Sequence, residues 1–223
     1  MKNEAFTHIP TSVKSLEAIR LAIPSFISGK RLCHTHSVEK EALKLSEILF
    51  CHLGIDKKYL SDISAAALLH DITKYLPDDE QKELCIKYGV EFDKNNASSA
   101  LLHSKTAAVI SREHFAINDY VFTAIFYHTT GKENMNLFEK IIFIADYIEE
   151  TRTQKVCIKA REYFYSSIKN SNNPIKALDM TIIMSLDSTL SYLESKGLVI
   201  DSQTIKARNF LLAEYALQRS VQE

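Results

Sequence analysis

Ala65-Ala66-Ala67-Leu68-Leu69-His70-Asp71-Ile72-Thr73-Lys74 is a small, apolar, helix-forming run that closes on an imidazole and a carboxylate. Leu60, Ile63, Ala67, His70 and Lys74 recur at helical spacing, so the stripe starts as core and finishes with a ligand-type residue and a cation. Burying such groups without partners costs about 2–7 kcal/mol for each unpaired polar group. A bound divalent metal ion is the economical partner. A solvated helix end is the alternative that a single His-Asp pair leaves open.

The rest of the chain supports a helical protein around that run. Its 223 residues suffice for one sizeable core. Hydrophobic residues make up 46% and charged residues 25%, a globular balance. With only 5 Gly and 4 Pro, long uninterrupted segments and an all-α chain are expected. A net charge of -1 leaves no electrostatic footprint for nucleic acid, so an anionic substrate must be attracted locally. Cys33, Cys51, Cys85 and Cys157 form no C-x-x-C pair, which removes zinc-finger and thioredoxin-type readings. Widely spaced thiols fit a reducing compartment. The first ten residues carry Lys2, Glu4 and His8 without an apolar signal core, and no apolar run approaches the roughly 20 residues of a membrane span. A cytoplasmic protein without membrane partners is expected.

Helix signals partition the chain. Thr11-Ser12 caps a first helix to about Ile27, with a kink or an early end at Pro24; a second runs from about Arg31 to Leu53 and stops at Gly54. Asp56 caps a third, which carries His70-Asp71 and ends at Leu76-Pro77. Asp78 and Gln81 suggest a capping box for a short fourth helix ending at Gly89. Residues 90–100 read as a loop, followed by a helix from Leu101 to Phe115. Asn118 caps a segment through Tyr127. Asn136 and Glu139 form another capping box, opening Leu137 to Glu150, whose run Ile141-Ile142-Phe143-Ile144-Ala145 is apolar all round as in a central helix. Asn173-Pro174 opens a helix to Lys196-Gly197, and Ser202 opens the last, with fraying expected after Leu212.

Eight histidines sort by the company they keep. His34 shares a helical face with Val38, Ala42, Leu45 and Leu49 and points inward; His36 shares its face with Lys40, Leu43 and Glu47. His103 aligns with Ala107 and Ile110, and His128 with Val121 and Ile125. Asp146 follows Ile142 by one turn on the most apolar helix, where an unpaired carboxylate is expensive. Five separate segments therefore offer His34, His70-Asp71, His103, His128 and Asp146 to the interior. Imidazole plus carboxylate suits iron, manganese or zinc, and this set exceeds what one ion needs; a binuclear site bridged by a carboxylate follows. Lys74 lies one turn beyond His70 and Asp71, within reach of a phosphate at the metals. Thr129, Thr130 and Gly131 follow a ligand and can hydrogen-bond phosphate, or simply end the helix.

In this order the residues resemble the HD-domain metal-dependent phosphohydrolases. Arg31-Leu32-Cys33-His34-Thr35, His70-Asp71-Ile72-Thr73-Lys74-Tyr75-Leu76-Pro77, Tyr127-His128-Thr129-Thr130-Gly131, Ala145-Asp146-Tyr147-Ile148-Glu149 and Ala207-Arg208-Asn209 resemble the YqeK-type bacterial family, symmetrical bis(5'-nucleosyl)-tetraphosphatases. The resemblance covers nearly all of residues 15–212. The chain departs at Glu150-Thr151, where the family carries Pro-Gly before the arginine.

The resemblance implies an all-α HD-domain bundle with C-terminal helices, formed by residues 15–212 between tails at 1–14 and 213–223. It implies hydrolysis of diadenosine tetraphosphate to two ADP by water activated at two metal ions, iron first, with manganese or cobalt as alternatives. One ion takes His34, His70, Asp71 and Asp146; the other takes Asp71, His103 and His128, with Asp71 bridging. Asp71 and Lys74 are the catalytic residues implied. Arg31, Lys74, Thr129, Thr130, Gly131, Arg152 and Arg208 are the substrate contacts, and the reading allows a homodimer. Two other readings share these ligands: a hydrolase of another nucleotide (mononucleotide or alarmone), and a non-catalytic nucleotide-binding regulator. The second would be expected to have lost a ligand, yet all six are present.

Overall fold

Asn136 accepts a hydrogen bond from the Glu139 amide while the Glu139 carboxylate accepts one from the Asn136 amide. This capping box starts the helix that organises the molecule. The computed structural model describes residues 13–93, 98–170 and 173–220, and among them all regular structure is helical. The elements are α1 (Val13–Ala22), α2 (Gly29–Leu53), α3 (Leu60–Leu69), α4 (Asp78–Lys87), α5 (Ser99–Phe115), α6 (Asp119–Phe126), α7 (Leu137–Ile148), α8 (Lys155–Asn170), α9 (Pro174–Ser195) and α10 (Ser202–Ser220). In α7, Ile141, Ile142, Ile144 and Ala145 are all fully buried. Each buried Ile contributes roughly 1.5–3 kcal/mol. α7 packs on α2, α6, α8 and α9, and α3 is held between α2, α6 and α1. The central position of α7 comes from its run at 141–145, which is apolar on every face.

The caps expected at Asn118 and Asn173 are present, on the amides of Val121 and Lys176. Gly54 closes α2 at φ +67, a conformation that costs glycine nothing. Other boundaries move. The residues Thr11 and Ser12, expected to cap the first helix, lie outside the described residues. Of the kink or early end expected at Pro24, the early end is found: α1 stops at Ala22 and a separate 3-10 turn follows at Ile23–Ser25. Asp56 caps a 3-10 turn, Lys57–Tyr59, instead of α3 itself. α3 ends at Leu69, and His70 to Leu76 continue as tight turns, with Lys74 N–H donating to Asp71 O and Leu76 N–H to Thr73 O. No capping box forms at Asp78: its carboxylate accepts from the Ser99 amide, while the buried Gln81 amide donates to the carbonyls of Thr73 and Leu76. Both partners are tertiary. α5 opens at Ser99, ahead of Leu101, and α10 runs on to Ser220, past the boundary expected at Leu212.

Candidate metal centre

The cluster is built from four histidines whose outer nitrogens are all engaged. Nδ1 of His70 lies 2.7 Å from Ala67 O, Nδ1 of His128 2.8 Å from Ile125 O, and Nδ1 of His103 3.1 Å from Ser99 O. Nδ1 of His34 lies 3.0 Å from Glu149 Oε1. Carbonyl and carboxylate oxygens only accept, so each Nδ1 carries a proton, and the neutral form of each ring presents the lone pair of Nε2 inward. His34 comes from the second turn of α2, His70 from the end of α3, His103 from α5 and His128 from the turn after α6.

Asp71 stands between the two halves. Its Oδ2 lies 3.3 Å from His70 Nε2 and 3.8 Å from His34 Nε2; its Oδ1 lies 3.2 Å from His103 Nε2 and 3.7 Å from His128 Nε2. Asp146, on α7, places Oδ1 2.9 Å from His34 Nε2 and 4.0 Å from His70 Nε2. His34, His70 and Asp71 converge within 4.8 Å, as do His70, His128 and Asp146, and Asp71, His103 and His128.

These atoms fit a cation. His34 Nε2, His70 Nε2 and Asp71 Oδ1 are buried and have no hydrogen-bond partner. His103 Nε2 and His128 Nε2 face each other at 3.1 Å. Lone pairs opposed to lone pairs in a low dielectric are costly until positive charge enters among them. The local field has the matching sign. Burial opposes charging His70, yet the carboxylates of Asp71 and Asp146 outweigh it and raise its pKa. Burial opposes ionising Asp71, but the imidazoles that face it, His70 first, hold it well below the usual carboxylate range. Burial likewise opposes ionising Asp146, and Arg152 with His34 prevails. His128 is driven down to about 4, chiefly by burial, which keeps it neutral and ligand-competent.

The cationic rim holds most of the other residues singled out from sequence. Arg31 Nη1 lies 2.6 Å from Asp71 Oδ2, and Arg152 Nη2 2.5 Å from Asp146 Oδ1. Lys74 Nζ lies 3.0 Å from His103 Nε2 and 4.0 Å from Asp71 Oδ1. Thr129 Oγ1 is 3.3 Å from His103 Nε2 and 3.4 Å from His128 Nε2. Glu150-Thr151 does not pull Arg152 away: Glu150 pairs with Lys40 and Thr151 binds Glu149. Three residues are engaged elsewhere. Thr130 donates to Gly131 O, and Arg208 Nε donates to Asp187 Oδ1 at 2.8 Å. Gly131, at φ +65, has its open side against Ala207, so it serves a turn and a close helix approach. His34 is 8% exposed and His36 is exposed, as helical phase requires.

Glu149 is the residue that sequence reading missed. It is fully buried and binds the ligand His34 from behind. The available signal was a carboxylate three residues after Asp146, at the end of an otherwise apolar helix.

A model of the HD domain family matches residues 31–151, which include all six converging residues. The chain belongs to the HD domain family. Among curated proteins, this HD-domain chain is 33% identical over 182 residues to the symmetrical bis(5'-nucleosyl)-tetraphosphatase of Staphylococcus aureus, covering 81% of this chain and 86% of that one. It is 27% identical over 188 residues to the protein of the same name from Bacillus subtilis, covering 84% and 92%. Among solved structures, a predicted HD superfamily hydrolase involved in NAD metabolism from Clostridium acetobutylicum superposes with a TM-score of 0.77 at 30% identity, covering 89% of this HD-domain chain and 97% of the other.

Proposed function

We propose that this HD-domain chain is a metal-dependent hydrolase that cleaves diadenosine tetraphosphate, and related dinucleoside polyphosphates, symmetrically into two nucleoside diphosphates. The observation that carries the reading is the convergence of four inward-facing Nε2 atoms on the two oxygens of Asp71. The similarity to proteins named for that activity over most of the chain supplies the substrate.

His34, His70, Asp71 and Asp146 would hold one ion, and Asp71, His103 and His128 the other. Two bound ions supply Lewis acidity, lowering the pKa of water and neutralising phosphate oxygens. The ligand set suits iron, with manganese or cobalt in the same geometry. The protein's own groups do the rest. The Nδ1 hydrogen bonds fix each ring before substrate arrives, so no reorganisation is needed during reaction. Asp71 is ionised and divides its oxygens between the two ligand groups. Arg31, Lys74 and Arg152 set positive charge around the mouth, where polyphosphate oxygens bind and are oriented. Thr129 offers a hydroxyl at the inner rim. Lys74 is partly desolvated, which strengthens its attraction for a phosphate oxygen beside His103. The reading places the protein in the cytoplasm, and no described helix is long and apolar enough to cross a membrane.

The test is turnover by metal-reconstituted protein on a panel of dinucleoside polyphosphates, mononucleotides and guanosine alarmones, with chromatography of products. Diadenosine tetraphosphate should be consumed fastest, with ADP as the sole nucleotide product. Preferential turnover of a mononucleotide or alarmone would overturn the reading.

A further inference from the structure

The cluster has two unlike mouths. On the His34 side lies an open, polar cleft of about 230 Å³ walled by Lys30, Arg31, Tyr75 and Arg152. On the His103–His128 side, Thr129 is the shared wall between the cluster and a second cleft of about 410 Å³. Leu101, Leu193, Leu198, Val199 and Thr204 line that second cleft, and Asp201 is the one charged residue among its described lining residues. Leu198 and Val199 remain 50% and 45% exposed. Adjacent large apolar side chains left in water at the mouth of a cavity mark a binding surface better than a single exposed leucine does. The volume falls in the range of small-ligand pockets, roughly 300–1,000 Å³.

We infer that the Leu198–Val199 cleft takes one nucleobase of the substrate, and that the polyphosphate runs from there across the cluster toward Arg31 and Arg152. The inference rests on the proposed hydrolysis of dinucleoside polyphosphates and goes beyond it by giving the site a direction. Charge selects the occupant. Asp201 disfavours a phosphate in the second cleft, which has no cation among the described residues of its lining, whereas a neutral aromatic base gains from the apolar walls. The opposite mouth has the reverse character, with Lys30, Arg31 and Arg152 around it. Thr129 lines the second cleft with its hydroxyl within 3.4 Å of His103 and His128, so the base cleft adjoins the cluster. A substrate with two identical ends is therefore bound by two different subsites, one apolar and one cationic.

The experiment is calorimetric titration of the metal-loaded full chain with ADP and, separately, with inorganic pyrophosphate. The variant is Leu198→Ser/Val199→Ser, two positions exposed enough to tolerate the change. Affinity for ADP should fall about tenfold or more, while affinity for pyrophosphate stays within about twofold. Unchanged ADP affinity would overturn the inference. So would a parallel loss of pyrophosphate binding, or a wild-type protein that binds ADP no more tightly than pyrophosphate. This contrast reads the cleft alone. Failure of the proposed reaction would show instead as absent turnover of diadenosine tetraphosphate by the wild type.

Discussion

Glu149 Oε1 sits 3.0 Å from His34 Nδ1 while the other carboxylate oxygen accepts the Thr151 amide at 2.5 Å. One fully buried carboxylate therefore fixes the tautomer of a ligand imidazole from an element 115 residues away. Such outer partners typically carry 10–100-fold in metal affinity. Glu149→Ala should weaken metal binding by about that factor, measured by competition with a chelator, in protein whose far-ultraviolet circular dichroism is unchanged. Glu149→Gln keeps an acceptor for Nδ1–H and should recover most of the loss. Equal affinities in wild type and Glu149→Ala would remove the positioning role.

Asp71 turns one oxygen toward each ligand group, Oδ2 to His70 and Oδ1 to His103. Asp71→Ala should abolish turnover and reduce metal content, by elemental analysis, to below half that of the wild type. Arg208→Ala, which loses a pair with Asp187, should leave metal content at the wild-type level. Full occupancy in Asp71→Ala would contradict the bridging assignment.

His34→Ala should damage metal retention far more than His36→Ala, because the first ring is buried against Asp146 and the second is exposed. The measurement is metal content after dialysis against a weak chelator. Equal losses would mean that the His34 ring contributes no more than the His36 ring.

Gly131→Ala should destabilise the fold without touching a ligand. At φ +65 an L-residue pays about 1–2 kcal/mol, and the new Cβ would meet Ala207 Cβ at 3.1 Å. Thermal denaturation should fall by several degrees. Adding Ala207→Gly should recover the contact part of the loss and leave the backbone part.

The sequence made the ligands legible where helical phase and apolar neighbours act together. His34 shares its face with buried Val38, Ala42, Leu45 and Leu49, and His103 with buried Ala107, so their direction follows from the core. The capping box at Asn136 was legible because both partners lie within one turn. What escaped depends on tertiary partners. Gln81 looked like half of a local box, but it satisfies carbonyls at Thr73 and Leu76 in the preceding turns. Glu149 has no local sign of its partner on α2. Gly131 and Ala207 belong to two separate motifs, and only the fold presses them together.

The most direct measurement is hydrolysis of diadenosine tetraphosphate in oxygen-18 water, with mass spectrometry of the nucleotides. Attack at an inner phosphorus expels ADP with the central bridging oxygen and leaves the incoming oxygen on the second ADP. The account predicts ADP alone, with label on the terminal phosphate of one in every two molecules. Equal amounts of AMP and ATP, or no turnover by metal-replete protein, would contradict it.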